Sequence, residues 1–253
     1  MSNWRHNLLQ IGESAKHFLY PSVCQICQSA RALADTGLIC DECREDVKRL
    51  EPPFCGKCSL PFAGQFSDVF ECANCREMNL KFDFAQSAVI ANDLLRDVIH
   101  RYKYNRELWF EPFLGGLLLD AMRDGMRDTD WDALVPVPLY PVKLREREFN
   151  QSVRLSRWLA GRLGVPVWDG CLKRIRSTPT QTALSRSKRI ANVKGAFVVK
   201  RSESVKNRSL IIIDDVLTTG ATTSACADAL RKAGASRIAV WTVARASFAP
   251  VLG

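Results

Sequence analysis

The chain has 253 residues, 47% of them apolar, which is enough for one α/β domain of moderate size plus a small extra module. Its charge is +9, from 36 Lys and Arg against 27 Asp and Glu, and it lacks the run of about 18 apolar residues that a membrane span needs. Arg5, Gln10, Glu13 and Lys16 interrupt the first apolar positions, so no signal-peptide core forms there; a cytoplasmic location without membrane insertion is expected, and the ten cysteines point to metal or free thiols rather than disulfides.

Trp4, Leu8, Ile11, Ala15 and Phe18 fall on one stripe of an amphipathic helix, expected over residues 1–21. Four Cys-x-x-Cys pairs follow: Cys24/Cys27, Cys40/Cys43, Cys55/Cys58 and Cys72/Cys75. Each pair grips one tetrahedral ion from a tight knuckle, and two knuckles complete a four-thiolate set with Zn–S near ~2.3 Å. A redox pair is the alternative, but four in series within a segment poor in aliphatic residues favour two structural zinc ions in place of a core. Residues 22–80 are therefore expected to form a double zinc ribbon, with successive or interleaved pairing left open. From 81 to 253 the composition is that of an α/β domain.

In that domain, residues 84–91 read as a strand or hairpin arm and 93–104 as a helix. His100 is read as a surface or packed histidine, because no second ligand lies at metal spacing. Residues 108–122 form a largely buried helix. The short strand that starts at Ala133 ends in prolines, and the segment 139–151 follows as a loop. In a parallel sheet that loop emerges at the carboxyl edge, where Lys143, Arg145 and Arg147 can receive a pyrophosphate by charge-assisted hydrogen bonds. Asn150 then caps a helix reaching Leu163.

Residues 143–208 hold 17 of the Lys and Arg against Glu146, Glu148, Asp169 and Glu203, so this block carries +13 and the rest of the chain −4. A polyanionic ligand is the natural counterpart of such a block. Within it, residues 172–197, carrying Arg174, Arg176, Gln181, Arg189 and Asn192, are too long and polar for a plain connection; a functional lid is expected. Cys171 and Cys226 stand apart and read as small packing residues.

Residues 210–223 read Leu-Ile-Ile-Ile-Asp-Asp-Val-Leu-Thr-Thr-Gly-Ala-Thr-Thr. The apolar run suits a strand buried on both faces, with Asp214 and Asp215 at the carboxyl end, where open α/β sheets bind ligands. Thr218, Thr219, Gly220, Ala221 and Thr222 lead into a helix that Gly234 stops, so amides, hydroxyls and helix dipole converge as an anion site. A magnesium-holding ATPase strand would need Gly-x-x-x-x-Gly-Lys-Ser/Thr upstream, and the chain has none. Residues 237–245 supply a last strand.

This stretch closely resembles the phosphoribosyl-pyrophosphate (PRPP) motif of type I phosphoribosyltransferases. With the four cysteine pairs, Lys103 after the first core helix, Arg147-Glu-Phe-Asn-Gln151, Gln181-Thr-x-Leu184 and Arg189-x-x-Asn192-x-x-Gly-Ala-Phe197, nearly the whole chain resembles the ComF family of competence and DNA-utilisation proteins. Glu148 stands where that family often has Gly. The resemblance implies a type I phosphoribosyltransferase fold, a mostly parallel sheet flanked by helices, behind an N-terminal zinc-ribbon module. It also implies PRPP or a related ribose phosphate with Mg²⁺ as ligand, Asp214 and Asp215 on the ribose, residues 218–222 on the 5-phosphate, and Lys103 among the anion-binding cations. Single-stranded DNA and other competence proteins are the implied partners. Pentosyl transfer is the implied reaction, although no residue stands out as base for an acceptor.

Overall fold

A computed structural model of the chain describes residues 22–62, 64, 70–125, 130–177, 193–200 and 202–246, so the expected helix over residues 1–21 lies outside it. Six strands are described: β1 (Phe84–Ile90), β2 (Ala133–Pro136), β3 (Leu172–Arg174), β4 (Phe197–Val199), β5 (Ser209–Leu217) and β6 (Arg237–Arg245). Four form a wholly parallel sheet in the order β1-β6-β5-β2, and β3 pairs antiparallel with β4 at the base of the polar segment 172–197. Leu210, Ile211, Ile212 and Ile213 are fully buried, as a strand sandwiched between two layers requires. Each such side chain contributes about 1.5–3 kcal/mol through burial.

Among the described residues, helices α1 (Asp93–His100), α2 (Glu111–Gly125), α4 (Gln151–Leu163) and α5 (Ala221–Lys232) flank the sheet, and a short exposed helix α3 (Pro141–Arg147) precedes α4. Asn92 caps α1 and Asn150 caps α4, each side chain accepting a backbone N–H at 2.9 Å. The helix expected over residues 93–104 changes character at Arg101, where the π-helical turn Arg101–Asn105 inserts an extra residue.

The segment 139–151, expected as a loop, contains α3. Pro141 starts it with a pre-set φ, and Glu148 ends it in the left-handed region at φ 69°. That is a glycine-favouring position held by a glutamate, whose carboxylate meets Arg106 at 3.0 Å.

The two cysteine sets merge with opposite core layers. Cys24, Cys40 and Cys43 share a buried cluster with α1, α2, α4 and the face of the sheet that carries Ala88, Ile211 and Trp241. Cys55, Cys58, Cys72 and Cys75 share another with α5 and the face that carries Ala85, Ile212 and Val240. Gly37 shows how close the first contact is. At φ 75° its backbone lies against α2, where an added Cβ would stand 2.7 Å from the Cβ of Phe113.

Candidate functional site

β5 delivers Asp214 and Asp215 to the carboxyl edge, and period-two alternation sends them to opposite sides. Asp215 is 3% exposed; its Oδ2 pairs with the ammonium of Lys103, and its Oδ1 accepts from Gln151 Nε2 at 3.0 Å. Burial pushes its carboxyl up, but Lys103 and Gln151 together hold it below the usual carboxylate value. Asp214 remains partly exposed and accepts from Ser152 Oγ at 2.9 Å. Burial, reinforced by repulsion from Asp215, raises its carboxyl to about 7. Gln151 and Ser152 open α4 directly after the Asn150 cap, so the helix start that was legible in sequence also presents the two side chains that orient the acids. Their role was not legible, although Gln151 closes the Arg147-Glu-Phe-Asn-Gln151 motif.

The cations divide. Lys103, Lys143 and Arg147 line one pocket of about 110 Å³ with Tyr104 and Glu146, while Arg145 is exposed outside it. On β3, burial lowers the guanidinium of Arg174, and the charge of Asp214 is close enough to support it. Arg176 is exposed and donates to the Lys194 carbonyl at 2.8 Å. Gln181, Arg189 and Asn192, and so the tip of the expected lid, lie outside the described residues.

Beyond the acids, Thr218 and Thr219 lead to Gly220, whose φ of 84° turns the chain into α5. Thr219 Oγ1 accepts from the Ala221 amide, Thr223 Oγ1 donates to the Gly220 carbonyl at 3.1 Å, and Thr222 stays partly exposed. The outer side of this turn is braced from afar. Asn74, in the second cysteine set, donates to the Thr219 carbonyl at 3.0 Å. Arg245, fully buried at the end of β6, donates to the carbonyls of Leu217 at 2.9 Å, Thr218 at 2.6 Å and Cys58 at 2.9 Å, and to Cys58 Sγ at 3.4 Å. Neither Asn74 nor Arg245 was expected in the site.

The cysteines form two groups in chain order, Cys24/Cys27/Cys40/Cys43 and Cys55/Cys58/Cys72/Cys75, with the sulfurs of each group within 4.8 Å of one another. A zinc tetrahedron with Zn–S near ~2.3 Å requires sulfurs about 3.8 Å apart. The spacings found, 3.8 Å for Cys27 to Cys40, 3.7 Å for Cys58 to Cys72 and 3.9 Å for Cys55 to Cys75, fit it. Backbone amides pointing at the sulfurs, Cys40 to Cys24 at 3.4 Å and Cys72 to Cys55 at 3.3 Å, suit thiolates. The donor sets thus fit two structural zinc ions with successive pairing.

Residues 15–78 match the Double zinc ribbon domain and residues 150–247 the Phosphoribosyl transferase domain. Competence protein F of Haemophilus influenzae is 33% identical over 231 residues, 88% of this chain and 96% of that protein. The chain belongs to the competence protein F family. The DNA utilization protein YhgH of Escherichia coli K12 is another relative, 31% identical over 89% of this chain and 97% of its own length. A solved glutamine PRPP amidotransferase from B. subtilis, complexed with ADP and GMP, superposes with a TM-score of 0.33 at 21% identity, over 50% of this chain and 24% of that one. For this competence protein F family member, the fold is the type I phosphoribosyltransferase architecture, with helices flanking a parallel sheet behind a double zinc ribbon. Among the described residues, no helix is long and apolar enough to cross a membrane.

Proposed function

We propose that the chain binds PRPP, as its magnesium complex, at the carboxyl edge of β5, and that it handles single-stranded DNA in the cytoplasm during DNA uptake and utilisation. The observation that carries this reading is the strand, acid pair, left-handed Gly220 and helix start in one continuous segment, with Asp214 partly open beside the turn. In this reading Thr218, Thr219, Gly220, Ala221 and Thr222 surround the 5-phosphate through amides, hydroxyls and the α5 dipole. Asp214 takes a ribose hydroxyl. Lys143 and Arg147, from the pocket they share with Lys103, receive the pyrophosphate end. If pentosyl transfer follows, departure of pyrophosphate leaves an oxocarbenium-like sugar, which the carboxylate of Asp214 stabilises. The relatives named for competence and DNA utilisation support the DNA half of the reading, as does the +13 block over residues 143–208.

A second reading, ligand binding without pentosyl transfer, is favoured by one observation: Asp215 is committed to Lys103 and Gln151, which leaves a single carboxylate free for the sugar. Calorimetry decides whether the site exists. Magnesium-dependent PRPP binding is expected in the wild type and absent in Asp214→Ala; unchanged affinity refutes the assignment. Pyrophosphate release on adding bases, nucleotides or DNA then separates transfer from binding, and silence across a broad panel selects the second reading.

A further inference from the structure

Tyr104 is 60% exposed, more than any other large apolar side chain described. The π-helical turn Arg101–Asn105 accounts for its position. The extra residue in the turn lets Tyr102 bury completely against Phe149, sends Lys103 to Asp215, and leaves Tyr104 facing outward. Its ring is nonetheless held in place. The His100 ring lies 4.8 Å away, and the Arg147 guanidinium sits 5.0 Å from the ring centroid.

Two hollows meet at this ring. One is the cationic pocket of about 110 Å³, where Lys143 and Arg147 outweigh Glu146. The other, of about 210 Å³, is walled by Ile99, Val216, Ala244 and Ala246 at the carboxyl edge of the sheet. Lys103 and Tyr104 border both. An apolar slot edged by two aromatic rings, joined to a site for negative charge, is complementary to a base with its phosphate.

We propose that these hollows bind one nucleotide unit, with the base in the apolar hollow against Tyr104 and His100 and the phosphate on Lys143 and Arg147. This deepens, and rests on, the reading that the chain handles a DNA strand. Stacking on an aromatic side chain tolerates any base, since every base has a π-face. A ring already held by contacts with His100 and Arg147 loses little rotamer freedom when a base docks. The unit is chemically the same in a strand and in a free nucleotide, so the test includes both.

Anisotropy titrations with a labelled oligothymidylate of about twelve residues, and displacement by dTMP, read the site in the full-length zinc-loaded chain. Tyr104→Ala is expected to weaken oligonucleotide binding about 5- to 150-fold, the range for one lost base stack, while Tyr104→Phe binds like wild type. Lys143→Glu should weaken binding and flatten its salt dependence by about one phosphate contact. Displacement by dTMP at concentrations close to those of the strand identifies a free nucleotide as the occupant; displacement only at far higher concentrations identifies the strand. The proposal is overturned if Tyr104→Ala stays within twofold of wild type, if Tyr104→Phe loses as much as Tyr104→Ala, or if the salt slope of Lys143→Glu is unchanged. PRPP calorimetry on the same wild-type preparation separates the two ideas. Tyr104-dependent oligonucleotide binding without PRPP binding defeats the ribose-phosphate reading alone, and PRPP binding with Tyr104-independent oligonucleotide binding defeats this inference alone.

Discussion

Asp214 and Asp215 are neighbours in the chain with opposite electrostatics. Asp215 has a cation and an amide donor, whereas Asp214 has one hydroxyl, and burial together with the like charge beside it raises its carboxyl to about 7. A carboxyl raised from its ordinary 3.8 binds its proton more tightly in the folded chain, so its contribution to stability is complete below about 4 and is lost as the pH rises through about 7. Asp214→Asn keeps an acceptor for Ser152 and removes the charge whose burial and repulsion raise that value. Thermal melts should therefore show the variant more stable than wild type at pH 8, by a margin that shrinks as the pH falls toward 4; an equal margin at pH 5 and pH 8 rules the explanation out. The acids and cysteines were legible because their chemistry is written in spacings of a few residues. The pairing of Asp215 with Lys103 was not, because it joins positions more than a hundred residues apart through the π-helical turn, and no periodicity encodes it.

β5, the turn at Gly220 and α5 were legible as one element, because the change from an apolar run to Asp-Asp and then to Thr-Thr-Gly is a local signal. What holds the turn was not legible. Arg245 ends a mostly apolar strand, yet its guanidinium is fully buried and caps the carbonyls of Leu217, Thr218 and Cys58. Asn74 does the same for Thr219. A buried carbonyl that loses its donor costs about 1–3 kcal/mol. Asn74→Ala is thus expected to lose stability in that range in urea titrations and also to weaken PRPP binding, because it frees the turn without touching the ligand. Arg245→Lys, which keeps the charge but not the planar fork of donors, should cost more than Asn74→Ala. Equal or smaller loss in the lysine variant would show that charge, rather than donor geometry, anchors the turn. The helix α3 escaped sequence reading for a related reason: it is short, buries none of its side chains, and ends on Glu148 where a glycine would have announced the stop.

At the scale of the molecule, the two zinc ribbons are unequal. The sequence shows a cysteine-rich segment ahead of an α/β domain, and no linear pattern shows that the first ribbon packs against the α2 side of the sheet and the second against the α5 side. The contacts that decide this are long-range: Arg101 donates to the Gln25 carbonyl at 2.8 Å in the first ribbon, while the second reaches the turn through Asn74 and, via Cys58, through Arg245. Structural zinc supplies folding energy, so removing one thiolate releases the knuckle it closes. Loss of the second zinc should therefore loosen residues 217–220 along with the ribbon itself, while loss of the first should leave that turn in place. Cys27→Ser, at the exposed corner of the first set, and Cys72→Ser, in the buried second set, make the comparison. Each variant is expected to retain one zinc by elemental analysis. Hydrogen exchange at the turn should rise, and PRPP affinity fall by about tenfold or more, in Cys72→Ser alone. Equal losses in the two variants would mean that the ribbons act through the common core, and that the bridge from Cys58 through Arg245 to the turn carries no specific coupling.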